Sequence, residues 1–228
     1  MYVKKKSTWD MQQILNFLLA LRTNNNKAWM EAHQADYRQA RNTFIDLTHF
    51  IIQGMGKHDP SIANLEPKSC IFRINRDIRF SKDKSPYKTN MGAYLTPGGK
   101  NGGCAGYYLH IEPPDQSFLA GGIHQPSADA LKKIRQEIDY NADGLMMVIN
   151  APRFKELFGA LQGEKLKRMP QGYDVDHPQA ELLKMKSFVA MHHASDSMVV
   201  QKDFLPHTLE ILQEITPLNK FLNTAIDT

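Results

Sequence analysis

Cysteine is scarce. There are two in 228 residues, Cys70 and Cys104, which excludes a disulfide-stapled scaffold and, with no second pair at ligand spacing, a recognisable zinc site. Long apolar runs are missing as well. Residues 14–21 are interrupted by Asn16, and no stretch approaches the roughly 20 apolar residues that cross a bilayer. Lys4, Lys5 and Lys6 lead into Ser7-Thr8-Trp9-Asp10 rather than an apolar core with a small-residue cleavage site, so they do not read as a signal peptide. The expectation is a cytoplasmic protein with reduced cysteines and no membrane partner. Charge is not strongly one-sided: Lys+Arg 28 against Asp+Glu 24 leaves +4, too little for a dedicated DNA coat. No repeat, low-complexity segment or long linker interrupts the chain. What is present, 42% hydrophobic and 23% charged, is the make-up of a soluble globular domain with a real core.

The first part of the chain carries helical periodicity. Ser7 and Asp10 have capping-box spacing, and Met11, Ile14, Leu15, Leu18 and Leu21 follow the i, i+3, i+4, i+7 pattern. Asn24-Asn25-Asn26 ends that helix, because asparagine favours turns and caps. Met30, Tyr37, Phe44 and Ile51 recur every seven residues, which predicts one long helix over 27–53. A period of two then takes over. Cys70, Phe72 and Ile74 alternate with Ile71 and Arg73, residues 91–96 and 107–112 alternate likewise, and 118–124 forms a further strand. Pro113-Pro114-Asp115 predicts a turn joining the last two into a hairpin. Helices are predicted at 127–140 with Ser127 as N-cap, at 144–149, and at 152–158 with Pro152 in the first turn. Extra strands are predicted at 166–169 and 187–192, with closing helices at 177–183 (capped by Asp176), 203–215 and 217–226. This order predicts a single α+β domain over 1–228, helical at 7–56, sheet-rich at 68–124 and mixed helical at 127–228. Its mainly antiparallel sheet would have five or six strands, packed by helices from both termini.

The unusual chemistry lies in residues 73–88. Arg73, Arg76, Arg79, Lys82, Lys84 and Lys88 face only Asp77 and Asp83, a surplus of four that equals the net charge of the whole chain. Guanidinium groups match phosphate or carboxylate oxygens two at a time, so arginines spaced by three can converge on an anion if the loop curls. Asp77 would hold one arginine in place, Tyr87 would add a hydroxyl and Lys84 a compact charge, while Lys82 and Lys88 would face water. No strong nucleophile is present, so any chemistry here would be electrostatic. Arg–Asp networks also stitch loops onto sheets, and that structural reading stands beside the functional one.

Other features carry less. Eight of the 14 glycines lie between Gly92 and Gly122. The loop Pro97-Gly98-Gly99-Lys100-Asn101-Gly102-Gly103 lacks the Lys-Ser/Thr and following helix of a phosphate loop, and reads as a mobile hairpin loop near the basic segment. Gly121-Gly122 inside a strand signals a bulge or a close backbone approach. His110 and His124 are placed to meet across a hairpin, but no carboxylate completes a metal set. His192 and His193 must point to opposite faces. Ser85 and Ser187 lack a nucleophile elbow. Phe72, Phe80, Tyr87, Tyr94, Tyr107 and Tyr108 accompany the basic segment as stacking surfaces do in single-strand binders, without any recognised nucleic-acid motif.

Arg73-x-x-Arg76-Asp77-x-Arg79-Phe80, followed by Lys84 and Tyr87, resembles the signature of a bacterial family catalogued as domain of unknown function 2461. Asn24-Asn25-Asn26 with Trp29, Gly106-Tyr107-Tyr108-Leu109-His110, Gly121-Gly122 and Lys186-Ser187-Phe188 are similar to that family too. The resemblance implies a single-domain protein of about this length and no particular activity, and it favours a site at the basic segment. The resulting expectation is a protein that binds, or acts on, a small phosphate- or carboxylate-bearing ligand through Arg73, Arg76, Asp77, Arg79, Lys84 and Tyr87, with no cofactor and no metal. The alternatives are a nucleic-acid module using the same segment, and an interaction protein whose Arg–Asp cluster is structural.

Overall fold

The computed structural model describes residues 10–227. Asp10 caps the first helix through its side chain, which accepts from the Gln13 N–H at 3.3 Å, while the Ser7 half of the expected capping box lies outside the described residues. Helix α1 (Met11–Thr23) buries Met11, Ile14, Leu15, Leu18 and Leu21, the residues its periodicity marks, together with Phe17. The long helix predicted for 27–53 is two: α2 (Lys27–Ala32), capped by Asn26, and α3 (Gln34–Met55). The break is at His33, whose ring stacks on Trp29 at 4.0 Å and bonds the Trp29 carbonyl at 2.8 Å, outside helical backbone angles. A 3-10 turn (Pro60–Ile62) and the single turn α4 (Pro67–Cys70) follow.

The sheet has four strands, not five or six: β1 (Met91–Leu95), β2 (Gly106–Ile111), β3 (Ser117–Ile123) and β4 (Phe188–Ala194), in that order and all antiparallel. The predicted β2–β3 hairpin is present, with Leu109 opposite Leu119. Two expected strands shrink to isolated bridges for local reasons. Pro67 starts a helical turn that takes up Cys70, which leaves only Ile71 to pair with Ala93 before the chain departs into the basic loop. The segment expected at 166–169 is cut short by Pro170 and Gly172, and pairs only at Lys165↔Met185, after a further bridge at Gln162↔Val189.

The crossover from β3 to β4 carries α5 (Ala128–Asn150), α6 (Pro152–Phe158) and α7 (Ala180–Leu183). The two helices predicted around residue 142 are one element kinked at Asn141, with Ser127 as N-cap as expected. Asp176 is not a cap. Its N–H bonds Asp174, and the turn into α7 is tied by His177 Nδ1, which accepts from the Gln179 N–H at 2.9 Å. After α8 (Asp196–Val199), the last two predicted helices are a single α9 (Phe204–Asp227) that runs through Pro217. Interior proline costs a helix about 3 kcal/mol. Burial of Ile211, Leu212 and Ile215 before it, and of Leu218 and Leu222 after it, offsets that.

Helices α3 and α9 cover one face of the sheet, where Ala93, Leu95, Tyr107, Leu109, Ile111, Leu119, Phe188 and Ala190 are all buried. Gly121 lets α9 sit close, since a Cβ there would lie 2.3 Å from Ile215 Cγ2. Gly122, at φ +106, bonds its N–H to Asn219 of α9. The opposite face, with Tyr94, Tyr108, His110, Phe118, Val189 and Met191, is only half-buried.

Candidate functional site

The basic segment is an irregular hairpin. The Arg76 N–H bonds the Pro86 carbonyl and the Lys88 N–H bonds Ile74, and Asn25 pins its base with two hydrogen bonds to the Tyr87 backbone at 2.9 and 3.1 Å. Within it, most of the charge is already answered. Arg76 pairs with Asp83 and donates to the Ser85 carbonyl, and Ser85 and Arg76 together hold the Asp83 carboxyl far below its usual range. Asp77 grips Arg79 through two contacts at 2.6 and 3.0 Å, an exposed pair rather than a buried one. Hydrogen bonds from the Arg79 side chain and backbone lower the Asp77 pKa. Lys84 donates to the Ile78 carbonyl at 3.0 Å. Phe80 is 95% exposed at the tip, with Arg79 over its ring. Of the six expected site residues, Arg76, Asp77 and Arg79 are therefore paired within the loop, and Lys84 is anchored to it away from the cavity lining. Tyr87 is fixed through its backbone and packs on the core.

Arg73 differs. Among the described residues no carboxylate pairs with it, with Lys88 or with Lys100. Lys88 and Lys100 flank Phe72, and the charge of Arg73 acts on Lys88. The Lys88 and Lys100 ammonium groups lie 5.4 and 5.8 Å from the Phe72 ring centre, and Arg73 adjoins Phe72 in the chain. Lys88 is half-buried and does not simply face water: burial, then Arg73 and Lys100, lower its pKa. Lys100 is anchored to the Ile71 carbonyl at 3.0 Å, which folds the glycine loop against the same edge.

Beside this cluster, on the half-buried sheet face, lies a cavity of about 670 Å³. Tyr94, Tyr108, Phe118 and Met191 form its floor, Phe72 and Lys100 one wall, and His124 and Gln162 the other. A smaller hollow of about 340 Å³ continues it past His124 to Lys186 and Ser187. From Tyr108 on the floor a hydrogen-bonded chain runs outward along β2. Tyr108 Oη meets His110 Nδ1 at 3.1 Å, His110 Nε2 meets Glu112 Oε2 at 2.9 Å, and Thr89 donates to Glu112 Oε1 at 2.7 Å. Burial lowers the His110 pKa against the opposing pull of Glu112. Burial also pushes Glu112 up, but hydrogen bonds from His110 and Thr89 outweigh it and keep the carboxyl below its usual range. A neutral imidazole donates Nε2–H to the carboxylate and leaves Nδ1 to accept the Tyr108 O–H. Burial and the nearby Glu112 charge push Tyr108 up to about 12. Phe118 stacks on His110 at 4.5 Å. Gly92 makes room for the phenol, since a Cβ there would sit 2.6 Å from Tyr108 Oη.

Sequence reasoning missed this floor. The alternation of 107–112 places Tyr108, His110 and Glu112 on one face, but it does not say which face is left half-buried. The expected His110–His124 meeting does not occur, because the register sets Phe118 opposite His110 and puts His124 beyond the end of β3. Gly121-Gly122, by contrast, is the close approach that glycines in a strand signal.

Among the described residues no helix is long and apolar enough to cross a membrane. No curated protein and no solved structure matches the chain. The family described as Conserved hypothetical protein (DUF2461) matches residues 13–221, close to the whole length, and the chain belongs to that family.

Proposed function

We propose that the protein binds a small organic anion on the half-buried face of the sheet, with its carboxylate or phosphate held by Arg73 and Lys100 and its apolar body resting on Tyr108, Phe118 and Met191. This keeps the ligand class expected from the sequence and moves the site from the tip of the basic loop to its base. The observation that carries the reading is the set of three cations, Arg73, Lys88 and Lys100, that among the described residues have no carboxylate paired with them, beside an aromatic-floored cavity large enough for a small molecule. Uncompensated like charges repel, and an anion relieves that repulsion. A cytoplasmic setting remains part of the reading, supported by the two free thiols, Cys70 and Cys104.

Thermal unfolding with phenyl phosphate, inorganic phosphate or chloride at matched ionic strength tests it. A native-state ligand at a hundredfold excess over Kd stabilises by about 2.7 kcal/mol, or roughly 5–11 °C for a chain of this size. Phenyl phosphate should shift the Tm most and chloride least. Changing Arg73 and Lys100 together to alanine should abolish the difference, and Arg79→Ala should leave it. Equal shifts with all three anions would refute the reading. Exposed Phe80 beneath Arg79 supports a second reading, in which single-stranded nucleic acid stacks on the loop tip. Tight, steeply salt-dependent binding at physiological salt, lost in Phe80→Ala, would put that reading first.

A further inference from the structure

The cavity runs across the sheet rather than along one strand. The Phe72 N–H bonds the Gly92 carbonyl at 2.9 Å and so flanks β1, while Gln162 bridges to Val189 of β4 through backbone hydrogen bonds of 2.7 and 3.1 Å. The two walls therefore stand at opposite edges of the four strands. Neighbouring strands lie about 4.8 Å apart, so β1 to β4 is three intervals, or roughly 14 Å. Between the walls the bed is aromatic: the Tyr108 ring lies 5.6 Å from that of Phe118 and 6.2 Å from that of Phe72. The Tyr108 hydroxyl is committed to His110, and the Tyr94 hydroxyl to the Cys104 and Gly122 carbonyls, so the bed offers rings and not donors. Polar groups stand at the two ends. Lys100 Nζ carries three N–H groups and gives one to the Ile71 carbonyl, which fixes it and leaves two for an anion. At the far wall the Gln162 amide and the His124 imidazole make no hydrogen bond among the described residues, and the bridge to Val189 holds the Gln162 backbone in place.

We propose that the cavity holds a nucleoside monophosphate, with the phosphate on Lys100, the base on the Tyr108–Phe118 bed and the base edge read by Gln162 and His124. The proposal rests on the anion-binding reading of this face and names its ligand class. Each part of such a molecule meets the group its chemistry needs. Phosphate oxygens accept charge-assisted hydrogen bonds from the fixed ammonium. A base is a flat π-system that packs on aromatic rings. A primary amide carries an acceptor and a donor side by side, which matches the amino group and N7 of adenine, whereas guanine presents two acceptors along the same edge. The ribose supplies the length. Phenyl phosphate, with one oxygen between ring and phosphorus, is too short to meet both walls, while a sugar between base and phosphate lets one molecule reach from Lys100 to Gln162. The cavity volume of about 670 Å³ lies within the range of roughly 300–1,000 Å³ usual for small-molecule sites.

Isothermal titration calorimetry of the full chain with adenosine monophosphate, guanosine monophosphate, ribose 5-phosphate and phenyl phosphate tests this. Adenosine monophosphate should bind tightest, and ribose 5-phosphate, which has no base, about tenfold or more weakly. Gln162→Ala combined with His124→Ala should bring adenosine monophosphate down to the level of phenyl phosphate. Both side chains are exposed, so the double variant keeps the fold, which circular dichroism checks. Phe118→Leu should weaken adenosine monophosphate more than ribose 5-phosphate. Adenosine monophosphate binding no tighter than ribose 5-phosphate, or binding insensitive to the Gln162 and His124 changes, would overturn the inference. So would a single-stranded oligoadenylate that binds more tightly than the mononucleotide, since the cavity would then belong to nucleic acid. Phenyl phosphate binding without an advantage for adenosine monophosphate overturns this inference alone. Absence of phenyl phosphate binding, or its persistence unchanged in Lys100→Ala, overturns the anion reading beneath it as well.

Discussion

Gly92→Ala probes the floor of the cavity with a single methyl group. Gly92 is in β1 opposite His110, in ordinary strand conformation, so alanine meets no backbone strain. In isolation the change favours the fold by about 0.5–1 kcal/mol, because alanine loses less conformational freedom than glycine. The new Cβ, however, would lie 2.6 Å from Tyr108 Oη, with ring carbons at 3.2 and 3.3 Å. The phenol must swing away, and its 3.1 Å contact with His110 is lost. A lost hydrogen bond of that kind costs roughly 0.5–1.5 kcal/mol, and a buried His110 Nδ1 left without a donor adds to it. The net effect on stability therefore runs from about 0.5 kcal/mol favourable to about 1 kcal/mol or more unfavourable. The informative quantity is the coupling to Tyr108→Phe. With the hydroxyl gone, the closest approach relaxes to 3.2 Å and no hydrogen bond remains to break, so Gly92→Ala should be less costly in the Tyr108→Phe background by about 1 kcal/mol. Urea unfolding of the four proteins, compared at equal m-values, measures this directly. An identical cost of Gly92→Ala in both backgrounds would refute the reasoning, and with it the claim that Gly92 is there to seat the phenol.

Three further outcomes are expected. Gly122→Ala places a Cβ at φ +106 and 1.9 Å from the Phe188 carbonyl oxygen, so it should cost more than about 4 kcal/mol or prevent folding, read by circular dichroism and thermal melting. Asn25→Ala removes both bonds to the Tyr87 backbone, should cost about 1–3 kcal/mol, and should expose Lys82 and Lys84 to faster tryptic cleavage. Burial holds the folded His110 below the ordinary imidazole value, so the unfolded chain binds more protons there as the pH falls, and wild-type stability declines below about pH 6.5. His110→Gln should flatten that part of the acid limb, and an unchanged limb would mean that His110 is not buried as described.

Periodicity made much of the fold legible. The heptad positions of α3, the capping residues Asn26 and Ser127, the β2–β3 hairpin and the role of Gly121-Gly122 follow from local rules that the three-dimensional structure obeys. The misreadings arose where a local preference met a tertiary one. Pro217 ends a helix in isolation, but buried side chains on both sides carry α9 through it. His33 suits helical spacing, yet stacking on Trp29 breaks the helix there. Composition singled out the basic segment, but it could not distinguish arginines paired with Asp77 and Asp83 from Arg73, whose charge reaches Asp77 without an ion pair among the described residues, because that depends on how the loop curls. The aromatic floor was invisible for a related reason: alternation sorts residues into two faces, and only the packing of α3 and α9 decides which face is left half-buried.

The bridges at Ile71↔Ala93 and Gln162↔Val189 have a consequence for how this protein meets others. They lie on β1 and β4, the two outer strands, where free N–H and C=O groups would otherwise offer a template to any extended chain. On the β4 side the contact extends into a short run, with Lys186 N–H bonded to Glu164 and Leu166 N–H to Lys184. A peptide adding itself as a fifth strand would first have to peel these segments away. Strand exchange and edge-to-edge aggregation are disfavoured for the same reason.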